Sequence, residues 1–130
     1  MFEMKDEYRL GVSQIDDQHE KLFNLGESAY KLLKDEFSTD KYDKIVSIIK
    51  ELEEYTIFHF RDEEAYMESI KYRKLLSQKV EHADFIKKVS EIDLRKVDEK
   101  QDEYIMEILD FLADWLVNHI IKQDLLIVKG

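Results

Sequence analysis

Every one of the four histidines in this 130-residue chain, His19, His59, His82 and His119, falls within a stretch of helical periodicity, on the side that carries its apolar residues. A neutral imidazole set into an apolar stripe leaves nitrogens that need partners, and each unsatisfied buried group costs about 1–3 kcal/mol. In HFRDE, His59 and Glu63 are four residues apart, so on a helix their side chains leave one face and can converge on one ion or on adjacent ions. A cation also explains an inward carboxylate, which is otherwise costly to bury. The residues considered as metal ligands are therefore His19, His59, Glu63, His82, His119 and Asp124. Any one of these histidines alone is better read as a hydrogen-bonded core residue. Four together, with two carboxylates, reverse that preference.

HIIKQD places Asp124 five residues after His119. Five residues of ideal α-helix turn through about 500°, leaving the two side chains roughly 140° apart. A π-turn or local unwinding near the helix end would bring Asp124 round, and such bulges are frequent at functional sites. An unbroken α-helix through 119–124 would count against it.

These residues need long helices to hold them, and the composition provides for that. Proline is absent and glycine occurs three times, so little interrupts a helix. Apolar spacing of three and four predicts an all-α, up-down-up-down four-helix bundle with a dimetal site in its core. The first helix runs from about Asp17 to Glu36, capped by Asp16, with a stripe from His19 through Leu22, Phe23, Gly26, Ala29 and Leu33 to Phe37. The second begins near Thr39 or Asp40, either able to cap it, and carries Ile45, Ile48, Ile49, Leu52, Thr56, His59, Glu63 and Tyr66 inward. A third spans about Arg73 to Ile92, with Leu75, Gln78, His82, Phe85, Ile86 and Val89 inward. The fourth spans about Glu99 to Leu126, with Ile105, Ile108, Leu109, Leu112, Trp115, Leu116, His119 and Ile120 inward. Connections around Ser38, Ser69 to Tyr72 and Lys96 to Asp98 are short enough for antiparallel neighbours. Phe23, Phe58, Phe60, Phe85, Phe111 and Trp115 read as core packing. Glu51, Glu53, Glu54, Glu64, Glu68, Glu91 and Glu99 read as solvated faces with no site role.

Composition narrows the functional classes. With 44% hydrophobic and 38% charged residues, 1–130 is expected to form a single soluble domain. A formal charge of −10 repels phosphate backbones and anionic lipids, arguing against nucleic-acid and membrane partners. MFEMKDEYRL lacks the pattern of a secretory leader, so a cytoplasmic location is expected. Without cysteine there is no disulfide, thiolate zinc site, iron–sulfur cluster or thiol catalysis. Imidazole and carboxylate donors suit iron, manganese or zinc. A ferritin-like dimetal bundle would show paired Glu-x-x-His motifs, and none occurs.

Four segments, GVSQIDDQHEKLF around His19, HFRDEEAYM from His59, HADF from His82 and WLVNHIIKQD ending at Asp124, give the chain its resemblance to the hemerythrin family in its single-domain bacterial form. The resemblance covers nearly the whole chain. It implies two iron ions with a bridging oxo or hydroxo group: one iron held by His19 and His59, the other by His82 and His119, and Glu63 and Asp124 bridging. It also implies that dioxygen binds end-on at the iron with only two histidines while both irons are oxidised. The family pattern has a further histidine four residues before His82, where this chain has Gln78. Three alternatives follow: weak ligation by the Gln78 side-chain oxygen, a water or other group in the vacancy, or a poorly held second iron.

Reversible dioxygen binding for sensing, storage, delivery or scavenging is the function this resemblance implies, with Leu22, Phe60, Trp115 and Leu116 within about a helical turn of ligands as an apolar oxygen pocket. A reductant of unknown identity and a monomeric or weakly homo-oligomeric state are further expectations. The rival is a diiron enzyme in which a second open position lets dioxygen, peroxide or nitric oxide react, with weak peroxidase or oxidase-like activity. No evident acid or base beyond the bridging carboxylates favours that rival. A metal-binding sensor module is a third reading, less natural for a chain this short.

Overall fold

The computed structural model describes residues 1–129, with no β-strand among them. Four long helices account for most of the chain: α1 (Ser13–Lys34), α2 (Lys41–Ser69), α3 (Leu75–Ser90) and α5 (Asp102–His119). A short helix, α4 (Leu94–Asp98), sits in the connection before α5. Beyond α5 the backbone continues as a π-helical turn, Ile120–Asp124, and then as α6 (Leu125–Lys129).

Each long helix buries a stripe of three- and four-residue spacing, such as Ile45, Ile49, Leu52, Thr56, His59, Glu63 and Met67 on α2. Lys31 and Lys34 in the last turn of α1, and Lys87 and Lys88 in that of α3, complement the negative ends of those helices. α1 packs on α2 and α5, and α2 on α3, which yields the expected helical bundle.

The helix ends depart from expectation. α1 starts at Ser13, so Asp16 lies within its first turn and is not its cap. Its carboxylate instead accepts from the amides of Leu10 (2.7 Å) and Gly11 (3.0 Å), fastening the preceding segment to the helix. Asp40 precedes α2 in a left-handed conformation, φ 53°, and makes no side-chain cap. Phe37 lies past the end of α1 and is 92% exposed, because the helix stops at Lys34 before the stripe reaches it. On α2, Met67 occupies the buried position expected for Tyr66, which is half-buried, and Phe58 is 49% exposed.

Residues before α1 also contribute to the core. Phe2, Tyr8 and Leu10 are buried, and the Phe2 ring lies directly over Gly26, where any Cβ would collide with it. The Phe2 amide donates to Glu27 Oε1 at 3.1 Å.

The apolar interior falls into two clusters. The larger includes Leu22, Phe60, Phe85 and Ile120; the smaller is Leu10, Ile15, Met67 and Ile127. Along α1 the order is Ile15, His19, Leu22; along α2 it is Phe60, Glu63, Met67; along the C-terminal segment it is Ile120, Asp124, Ile127. The polar band therefore lies between the two clusters, shut off at both ends by packed side chains.

Candidate metal centre

The fold brings His19, His59, Glu63, Gln78, His82, His119 and Asp124 together, each at most 5% exposed. α1 contributes His19, α2 contributes His59 and Glu63, α3 contributes Gln78 and His82, and α5 with its π-turn contributes His119 and Asp124. The π-turn expected between His119 and Asp124 is present, with the Leu125 amide bonded to the Ile120 carbonyl five residues back. It places Asp124 Oδ1 3.0 Å from His119 Nε2.

Glu63 divides its two oxygens. Oε2 lies 3.3 Å from Nε2 of both His19 and His59, and Oε1 lies 3.2 Å from Nε2 of His82. Asp124 does the same, with Oδ2 3.2 Å from His19 Nε2 and Oδ1 facing His119. Donor atoms of Glu63, His82, His119 and Asp124 lie within 4.8 Å of one another, as do those of His19, His59 and Glu63. Two groups able to hold a cation thus share Glu63.

Hydrogen bonding from outside fixes which nitrogens face inward. Gln18 Nε2 donates to Asp62 Oδ2 at 2.9 Å, which turns Gln18 Oε1 toward His59 Nδ1 at 2.7 Å. His59 must then carry its proton on Nδ1, leaving an Nε2 lone pair against a carboxylate oxygen. Burial lowers the His59 pKa despite the opposing pull of Glu63, so the ring is neutral. Glu64 Oε2 receives the Nδ1 proton of His82 at 2.9 Å and likewise leaves the His82 Nε2 lone pair facing Glu63. Acceptors facing acceptors at about 3.3 Å in a dry interior repel each other unless a cation lies among them. Glu63 Oε1, Asp124 Oδ2 and Gln78 Oε1 are in addition buried without a hydrogen-bond partner. Metal fits this donor set.

Without metal the site partly neutralises itself with protons. Burial alone would push His19 down, but the carboxylates of Asp124 and Glu63 beside it outweigh that effect and raise its pKa to about 9. His119 is raised for the same reason, burial being overcome by Asp124. Burial would raise Glu63, yet the protonated His19 beside it holds its pKa well below the ordinary carboxylate range.

Gln78 donates from Nε2 to Asp124 Oδ1 at 3.1 Å. Of the four expected pocket residues, Phe60 and Trp115 lie directly on the site: Phe60 stacks on His82 with centroids 3.8 Å apart, and Trp115 on His119 at 4.4 Å. Leu22 and Leu116 are buried in the larger apolar cluster. The reading of Glu64 as a solvated face is corrected by its bond to His82, and Gln18, Asp62 and Glu81 were not expected near the site at all. All except Gln18 sit at helix rims, only half-buried, where apolar periodicity carries no signal.

Residues 10–129 match the family described as the hemerythrin HHE cation binding domain. A bacteriohemerythrin of Clostridium acetobutylicum is 51% identical over 124 residues, covering 95% of this chain and 96% of the relative. One from Pseudomonas paraeruginosa is 32% identical, covering 92% and 74%. Myohemerythrin-1 of Phascolopsis gouldii is 29% identical, covering 92% and 85%. With its sequence and its buried histidine–carboxylate band in accord, the chain belongs to the hemerythrin family.

Proposed function

We propose that this chain is a non-haem diiron protein that binds dioxygen reversibly. In this reading His19 and His59 would hold one iron, His82 and His119 would hold the other, and Glu63 and Asp124 would be shared between them, with an oxo or hydroxo group completing the centre. The observation that carries it is the division of each carboxylate's oxygens between two pairs of imidazoles. Ferrous iron supplies the electrons and the open coordination position that dioxygen needs.

The protein's own residues supply the rest. Gln18 and Glu64 fix the tautomers of His59 and His82 before any metal arrives. Phe60 and Trp115 wall the site, and the two apolar clusters close it lengthwise, keeping bulk water and acids away from it. The vacancy at Gln78 makes the His82–His119 half the more labile. No described helix is long and apolar enough to cross a membrane. We infer a cytoplasmic single domain, monomeric or weakly self-associating, returned to its ferrous state by a separate reductant.

The test is metal analysis of protein purified without air, followed by absorption spectra on adding and then removing dioxygen. Two irons per chain and a visible band that appears and reverses are expected. Rapid irreversible oxidation would favour the enzymatic reading, in which the Gln78 vacancy admits a second reactant.

A further inference from the structure

The outer faces of the histidines are not treated alike. On the half complete by family pattern, His59 Nδ1 rests on a neutral amide oxygen of Gln18, and His19 Nδ1 has no hydrogen-bond partner. On the half where Gln78 replaces a histidine, His82 Nδ1 donates to the carboxylate of Glu64 at 2.9 Å, while His119 Nδ1, 3.7 Å from the carboxylate of Glu81, is like His19 Nδ1 without a hydrogen-bond partner. The one carboxylate hydrogen-bonded directly to an outer imidazole nitrogen, that of Glu64, therefore belongs to the deficient half. Asp62 reaches His59 only through Gln18.

An imidazole whose outer N–H points at a carboxylate is a stronger donor through its other nitrogen than one resting on an amide. We propose that Glu64 is a positioning and donor-strengthening residue that compensates for the missing histidine at Gln78 and retains the metal on the His82 side of the site. Glu64 stands beside Glu63 on α2, and Glu81 beside His82 on α3. Glu64 reaches across to the histidine of the neighbouring helix, so it also pins the ring plane that Phe60 stacks upon.

The inference rests on the diiron reading, and its test separates the two. Ferrous iron is titrated anaerobically into the full chain against a colorimetric chelator, giving two stepwise dissociation constants. The weaker step is assigned by its loss in His82→Ala. Glu64→Gln keeps shape and an acceptor oxygen but removes the charge, and the expected result is about a tenfold weakening of that step with the other unchanged. A purely orienting role would leave Glu64→Gln like the parent and weaken only Glu64→Ala. Placing Gln78→His in the same chain should shrink the Glu64→Gln penalty to about threefold or less, since a third imidazole then shares the load. Glu64 is part-exposed, so both glutamate variants are expected to keep the parent's helical circular dichroism. Equal stepwise constants in parent and Glu64→Gln overturn the compensation while leaving the diiron reading intact. A parent chain that takes up no second iron overturns both.

Discussion

His119 Nε2 and Asp124 Oδ1 lie 3.0 Å apart although five residues separate them, because the chain between them is a π-turn and not α-helix. An α-helix there would have sent Asp124 about 140° away. The position of the carboxylate, more than its presence, is what the turn provides. Exchanging residues 123 and 124, as Gln123→Asp with Asp124→Gln, keeps the composition and places the carboxylate at the half-buried position 123. Loss of tight binding of at least one iron is expected in the anaerobic titration. An exchanged variant that binds two irons as tightly as the parent would show that the π-turn does not position the ligand.

The protons held by the metal-free site set its pH behaviour. His19 is raised from 6.5 to about 9, so the stability it contributes is fully present below about 6.5 and is lost as pH rises through about 9. His119, also raised, adds in the same direction. His59 is lowered, so its neutral burial opposes folding as pH falls below 6.5. The thermal midpoint of metal-free protein should therefore decline from pH 7 to 9.5, and His19→Gln should flatten that decline. Iron uptake at pH 7 must displace the His19 proton, so affinity should increase up to about pH 9, with proton release seen by calorimetry in buffers of different ionisation enthalpy. Proton-neutral binding at pH 7 would contradict this.

Gln78 stands where the resemblance implies a histidine, and its amide donates to Asp124 while its oxygen has no partner. Gln78→His should restore a nitrogen donor to the His82–His119 half without changing the charge of the site, because a neutral imidazole replaces a neutral amide. Iron stoichiometry after gel filtration should increase toward two, with the weaker dissociation constant falling about tenfold or more. Unchanged occupancy would mean that the vacancy is not what limits the second iron.

The long helices were legible because their buried stripes recur at spacings of three and four, and the site because polar residues interrupt those stripes at corresponding depths. His19, His59, His82 and His119 all point inward for that reason. What periodicity could not carry was contact between helix rims. Glu64 and Glu81 are half-buried, and nothing in their spacing distinguishes them from solvated acids. Helix ends were also hard to place, since Asp16 has the residue type of a cap yet binds the loop before it. The segment before α1 is too short and irregular for any period, so burial of Phe2 and Tyr8 left no mark in the pattern.

That segment makes the last prediction. Gly26 lies on the buried stripe of α1, and its missing Cβ is the space occupied by the Phe2 ring. Alanine has the better helix propensity by about 1 kcal/mol, so on an unobstructed helix Gly26→Ala would stabilise. Here the added methyl must expel Phe2 from the core, exposing its ring and breaking the bond from its amide to Glu27. Losing a buried phenylalanine costs about 1.5–3 kcal/mol, which exceeds the propensity gain. Gly26→Ala should therefore lower stability in urea by about 1 kcal/mol, while Gly26→Ala combined with Phe2→Ala should be no less stable than Phe2→Ala alone. If Gly26→Ala by itself raises the unfolding midpoint, Phe2 is not held against α1 in solution.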